Sequence, residues 1–126
     1  MPYVLSWPDE TFLAEFAGLV TAREIEAVNH AFSGDARMDY VRYSVWDFSR
    51  VTSIEIPDHE VVYAAAFDKG VTSVRNTLRG ALIASDPNVR RRLQDYLAAA
   101  ERLTVEWDTR LFYDMRSAID WLEGNP

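Results

Sequence analysis

The chain contains no cysteine, which excludes a disulfide framework, a thiolate zinc centre and a catalytic thiol. Its two histidines, His30 and His59, leave few routes to a histidine-rich metal centre. The five glycines stand singly, so there is no P-loop, no Gly-x-Gly-x-x-Gly and no glycine-rich phosphate cradle. Positive charge is also scarce. Thirteen Lys and Arg oppose 20 Asp and Glu, for a net charge of -7, and Lys69 is the only lysine. That balance argues against a general nucleic-acid binder, which needs cations to neutralise phosphates. The longest apolar run, Val61 to Phe67, is far below the ~20 residues of a membrane-spanning helix. Met1 to Trp7 has neither the basic nor the apolar region of a signal peptide. A cytoplasmic protein without a membrane span, metal or cofactor is expected.

What the chain does have is apolar content. Residues of the hydrophobic class make up 48% of its 126 positions and aromatic residues 13%, too much for a disordered chain. A single domain of this length buries roughly two-thirds of its unfolded surface. No repeat, linker or low-complexity tract interrupts it, and the segment Ser33 to Arg37 is only a connector.

Tyr3, Leu5 and Trp7 alternate as in a strand, and so do Phe12, Ala14 and Phe16 within Thr11–Ala17. The short Pro8-Asp9-Glu10 link between the two predicts an antiparallel hairpin that ends at Gly18. Thr21-Ala22-Arg23-Glu24 reads as a capping box. The helix behind it carries Ile25, Val28 and Phe32 on its apolar stripe, puts Glu26, Asn29 and His30 off that stripe, and stops near Gly34. Asp39–Phe48, with neither face plainly polar, predicts a buried central strand. Pro57-Asp58-His59-Glu60 opens a helix, with acids at the positive end of its dipole. This helix is expected to be apolar on most sides through Phe67 and to end at Gly70 or by Asn76. A short strand follows at Gly80–Ala84. Asp86-Pro87 caps a long helix with Val89, Leu93, Leu97, Ala100 and Leu103 in register. Trp107–Tyr113 forms a last strand, and Asp114 caps a closing helix. The order ββαβαβαβα predicts an α/β fold: a mixed, mostly parallel sheet of about five strands, with an N-terminal antiparallel hairpin and about four helices.

One segment carries a family resemblance. Asp47-Phe48-Ser49-Arg50-Val51-Thr52-Ser53-Ile54-Glu55 resembles the Asp-Leu-Ser-x-Val-Thr-x-x-Asp segment of STAS domains, the group that includes bacterial anti-sigma factor antagonists and the cytoplasmic tails of sulfate transporters. The element order from Thr11 to Glu123 is similar as well. The overall layout most resembles the bacterial STAS/SEC14-like group of mostly uncharacterised single-domain proteins. The resemblance implies a non-catalytic regulatory domain acting through protein contacts. Its working surface would be a switch-like loop and first helical turn containing Ser49, Thr52, Ser53, Glu55, Asp58 and His59.

The chain departs from that family where phosphorylation occurs. In phosphoregulated antagonists the motif continues Asp-Ser-Ser-Gly, with the phosphoserine at a helix start. The matching residues here are Glu55-Ile56-Pro57-Asp58, so the acceptor position is a proline. Free N–H groups at a helix start hold a phosphate. Here Pro57 removes one donor, and Asp58 is expected to fill the anion's place. The usual switch is therefore expected to be absent, with Ser49, Thr52 or Ser53 as the only displaced acceptors.

Other clusters have plain readings beside the chemical ones. Asp58-His59-Glu60 could ligate a metal only with further donors from elsewhere, and helix capping explains it without one. Ser53 and His59 have no nucleophile-elbow context. Arg90, Arg91 and Arg92 lie in the first turns of a helix, where the dipole disfavours cations. They form a possible anion patch unless Arg91 pairs with Asp95 and the others are solvated. Among the four tryptophans, Trp7 on an edge strand is the candidate anchor for a homodimer. The alternative function is a small-molecule binding domain, holding an apolar or anionic ligand between sheet and helices.

Overall fold

The computed structural model describes residues 3–72 and 77–124. The N-terminal hairpin forms as its alternation dictates. β1 (Tyr3–Ser6) runs antiparallel to β2 (Thr11–Thr21), with Tyr3 opposite Phe16 and Ser6 opposite Leu13. Phe12, Ala14 and Phe16 are all buried. β2 does not end at Gly18, however. Gly18 takes φ +72 at a register shift and the strand continues to Thr21. A residue without Cβ tolerates that left-handed backbone, so the glycine absorbs an irregularity where termination was expected.

The capping box then starts α1 (Ala22–Ser33), with the Thr21 N–H donating to the Glu24 carboxylate at 2.8 Å. The Gly34 N–H closes the helix on the His30 carbonyl. Ala36–Asp39 is a short 3-10 turn held by Asp35, whose carboxylate accepts from the Arg37 N–H. The next strand therefore starts later than expected. It also extends further: β3 runs from Tyr43 to Glu55.

β3 is the central strand, with β2 and β4 (Arg79–Ile83) parallel on either side, and β5 (Asp108–Phe112) is parallel beyond β4. The sheet order is β1-β2-β3-β4-β5. The expected α/β architecture, a mixed and mostly parallel sheet with one antiparallel hairpin, is present. α2 (Asp58–Thr72), α3 (Pro87–Arg102) and α4 (Met115–Gly124) complete it. The predicted limit of α2 at Asn76 falls outside the described residues. Asp86 caps α3 by accepting from the Asn88 and Val89 N–H groups, and Asp114 accepts from the Ser117 N–H at the start of α4.

Two layers of helix cover the sheet. On one face, Phe12, Phe16 and Phe48 pack with Val28 and Phe32 of α1 and with Val89 and Leu93 of α3. The Phe16 and Phe48 rings stack at 4.6 Å. On the other face, Val45, Ala81 and Ile83 meet Ala118 and Leu122 of α4. Each fully buried Phe or Val contributes about 1.5–3 kcal/mol of transfer free energy. α4 leaves the β1–β2 end of its face open. Val4 pairs with Glu15, and Val4, Ala17 and Leu19 are exposed there. α2 is less buried than its composition suggests, since Val61, Ala65, Asp68 and Thr72 turn inward while Val62 and Tyr63 stay exposed.

Candidate functional site

The residues singled out around the STAS-like segment come together at one corner of the molecule, but not on a loop. Ser49, Thr52, Ser53 and Glu55 belong to the second half of β3. Gly18 pairs with Val51 and Leu19 with Ser53, so Thr52 is the extra residue of a bulge. A polar run with irregular alternation reads as loop in sequence. It is strand here because Val51 is buried and Ile54 packs on the core, while Ser49, Thr52, Ser53 and Glu55 stay exposed. Past Ile56 and Pro57 the chain enters α2, and the Pro57 carbonyl accepts from the Glu60 and Val61 N–H groups. Asp58 and His59 are exposed beside this turn.

Asp58 does not fill the place expected of it. Its carboxylate turns away from the α2 backbone to Arg92 of α3, at 2.7 Å. Arg92 also holds Asp95 at 2.7 Å, and these two carboxylates keep its guanidinium firmly charged. His59 Nε2 stands 3.5 Å from Glu60 Oε1. It has no hydrogen bond to Ser53 among the described residues, so the two do not form a nucleophile–base pair. Among the described residues no three His, Asp or Glu converge as a metal site.

The arginine triplet does not gather into a patch. Arg90 donates to the Ala84 and Phe112 carbonyls and lies over the Tyr113 ring, tying α3 to the sheet. The Asp95 partner is Arg92, three residues away, and the expected pair with Arg91 is not the one formed. Only Arg91 is exposed. Trp7 likewise turns inward. Its ring packs on Phe12 and Phe32, with the Arg37 guanidinium 4.8 Å above it.

Beside the β3–α2 corner lies a cavity of about 100 Å³ between the sheet and helices α1, α2 and α3. Its walls are mainly apolar and include Ile25, Phe32, Trp46, Ile54, Val61 and Leu93. Glu26, Glu60 and the exposed Tyr63 bring it to the surface between α1 and α2.

Besides Ser44, Arg92 and Thr109, three polar side chains break the apolar wall inside the mouth. Asp68, 9% exposed, accepts a hydrogen bond from the Tyr96 hydroxyl of α3. Burial pushes the Asp68 carboxyl up to about 6, and the Tyr96 bond only partly offsets it. Burial, and then the charge of Asp68, push the Tyr96 phenol well above its ordinary value. Asn29, 6% exposed, also faces the cavity, and its side chain has no hydrogen-bond partner among the described residues.

Sequence reasoning missed all three. It placed Asn29 with His30 on a solvated face, and His30 is indeed exposed, but Asn29 is buried. A usable signal existed in α2: Val61, Ala65, Asp68 and Thr72 follow helical spacing, which puts an acid on the inward stripe. Nothing in the local pattern indicates that Tyr96 would meet it.

No protein-family model matches the sequence, and no curated protein does. Solved structures match across nearly the whole chain. The anti-sigma factor antagonist SpoIIAA in its unphosphorylated form aligns with TM-score 0.61 and 18% identity over 98% of this chain and 99% of its own. The Bacillus cell fate determinant SpoIIAA in the phosphorylated form aligns with TM-score 0.59 and 16% identity, over 96% and 99%. An uncharacterised DUF3478-family protein with a SpoIIAA-like fold, from Shewanella loihica PV-4, gives TM-score 0.51 and 17% identity over 95% and 91%. Superposition over nearly the full length of both chains gives this chain the STAS-like fold of SpoIIAA.

Proposed function

We propose that this chain is a non-catalytic regulatory domain of the cytoplasm that acts by binding a protein partner at the corner where β3 meets α2. The carrying observation is the cluster of exposed polar side chains at that corner. Ser49, Thr52, Ser53, Glu55, Asp58 and His59 all face solvent there, on a backbone pinned by strand pairing and by the Pro57 turn. A rigid backbone with exposed polar groups suits recognition, because little ordering entropy is lost on binding. Pro57 has no hydroxyl at the position where antagonists carry phosphoserine, so recognition here is unswitched. The partner is not a nucleic acid, given the net charge of -7. The decisive comparison is affinity capture with the folded wild type and with the double variant Glu55→Ala, Asp58→Ala. A partner retained by the first and lost by the second supports the assignment; equal retention sinks it. Intact-mass analysis of the natively expressed chain should find no phosphate, and a phosphate at Ser49, Thr52 or Ser53 would restore the switch.

The proposal includes homodimerisation. Since Trp7 is committed to the core, the contact is assigned to the open end of the α4 face, where Val4 is 59% and Leu19 45% exposed.

The cavity favours a second reading, in which the domain binds a small apolar or anionic molecule between the sheet and the helices. A void of about 100 Å³ lined by Ile, Phe, Val and Leu forgoes dispersion contacts that a ligand would restore. Native mass spectrometry of gently purified protein should then reveal added mass that organic solvent removes. A clean apoprotein mass from the native source would count against it.

A further inference from the structure

The second reading leaves the ligand's head group open between an apolar and an anionic one. The wall of the cavity argues against the anionic one and points to a third. Asn29 of α1 and Asp68 of α2 each stand one residue from His30 and Phe67, whose rings meet at 5.1 Å. Both polar side chains therefore lie toward the C-terminal half of the α1–α2 seam. Glu26, Glu60 and Tyr63 lie toward its N-terminal half, where the cavity reaches the surface.

The unmet hydrogen-bonding capacity inside the cavity is mainly that of acceptors. Asp68 Oδ2 is taken by the Tyr96 hydroxyl, and Asp68 Oδ1 has no partner among the described residues. The Asn29 side-chain carbonyl and its amide N–H groups are also unpartnered among them, and the amide can turn its N–H toward the mouth while the carbonyl stays open inside. Buried polar groups in folded proteins are nearly always paired, so two open acceptors on one cavity ask for donors. The charge on the wall points the same way. Glu26, Glu60 and Asp68 are carboxylic acids; the one cation among the described wall residues, Arg92, is already held by Asp58 and Asp95. An anionic head would meet repulsion and no free cation.

We propose that the cavity binds a small primary amine, its ammonium seated between Asp68 and Asn29 and its short apolar chain lying along the Ile25, Ile54 and Val61 wall. An ammonium supplies three donors and the counter-charge that a buried carboxylate lacks. The acids Glu26 and Glu60 at the mouth favour its approach. Burial holds Asp68 near about 6 in the empty cavity, and an ammonium beside it favours the ionised form. Size limits the body of the ligand: an apolar cavity of about 150 Å³ holds a benzene ring, so about 100 Å³ holds the head and first carbons of a short alkyl chain, whose end lies in the mouth between α1 and α2, and not a lipid tail.

The inference rests on the cavity reading, and one experiment separates the two. Hexylamine, hexanol and hexanoate share a chain and differ in head group. Each is titrated into the full-length protein by isothermal calorimetry, with the fluorescence of Trp46 and Trp107, both on the cavity wall, as a second readout. Hexylamine is expected to bind at least tenfold more tightly than either of the others. In Asp68→Asn, which keeps an acceptor for Tyr96, hexanol binding is expected to persist while the amine preference falls to within threefold. Equal affinities, or an advantage for hexanoate, overturn the amine assignment and leave the cavity reading standing. Binding of none of the three overturns both. Should the variant not fold, intermolecular NOEs on the wild type decide. Contacts from the hexylamine N-methylene to the Tyr96 ring support the site, and contacts confined to Tyr63 at the mouth overturn it.

Discussion

At Asp68 two free energies compete. Burial disfavours the carboxylate, and the single Tyr96 bond offsets only part of that cost, so the folded chain holds the proton up to about 6 against an ordinary 3.8. A group whose pKa is raised by folding contributes its full stability below the unfolded value and loses it as pH rises through the folded value. The fold should therefore weaken between about pH 4 and pH 7. At 1.36 kcal/mol per unit the loss is on the order of 2–3 kcal/mol. Asp68→Asn should remove most of that slope and leave the protein more stable than wild type at pH 8. Urea denaturation at pH 5 and pH 8 measures both effects, and a wild-type stability that rises over this interval would contradict the assignment. Two other side chains calibrate the scale. Phe16, buried against Phe48, should cost about 3–5 kcal/mol as Phe16→Ala. Arg92→Ala should cost about 1 kcal/mol or less, because Asp58 is 93% exposed and solvent screens the pair. A larger loss at Arg92 than at Phe16 would mean that the α2–α3 bridge, and not the aromatic core, holds the helical layer.

The starts of three helices were the most readable part of the chain. The capping box at Thr21, the Asp86-Pro87 start and the Asp114 cap all rely on contacts within four residues. Local sequence therefore encodes them fully. Thr21→Ala should lower stability by about 1 kcal/mol, with the loss confined to the α1 end in hydrogen exchange. Interruptions of elements were harder to read. Gly18 looks like a terminator and instead lies inside β2 opposite the β3 bulge at Thr52, at φ +72 with open space where a Cβ would go. Gly18→Ala should cost about 1–2 kcal/mol from the left-handed backbone alone, with no loss from crowding. A neutral result in thermal unfolding would show that the strand can re-register. The second half of β3 was misread as loop because it alternates poorly. The bulge at Thr52 shifts the pattern, and its partner strand lies more than thirty residues earlier. The corner residues lie near one another, as the resemblance implied, but on strand and helix backbone in place of a loop. Asn29, Asp68 and Tyr96 come from three helices, and only packing brings them to one cavity. No window of sequence contains that information.

At the scale of the whole molecule, the two faces of the sheet are treated unequally. Three helices cover one, and α4 covers only the β3–β5 part of the other, leaving Val4, Ala17 and Leu19 in solvent at the β1–β2 end. β1 is also a sheet edge, with backbone groups available to a second copy. Opposing association is the charge, since each copy brings a net -7. A dimer built on the open apolar end must therefore form against long-range repulsion. At 0.15 M salt the screening length is ~8 Å, falling to ~3 Å at 1 M. Added salt weakens that repulsion and leaves the apolar contact intact. The expected outcome in sedimentation velocity is a monomer–dimer equilibrium that shifts toward dimer as salt rises. Leu19→Glu should abolish it without altering the circular dichroism spectrum. An interface held by ion pairs would show the opposite salt response. A monomer at every concentration and salt would leave the β1–β2 end as ordinary exposed surface and remove the dimer from the account of this chain.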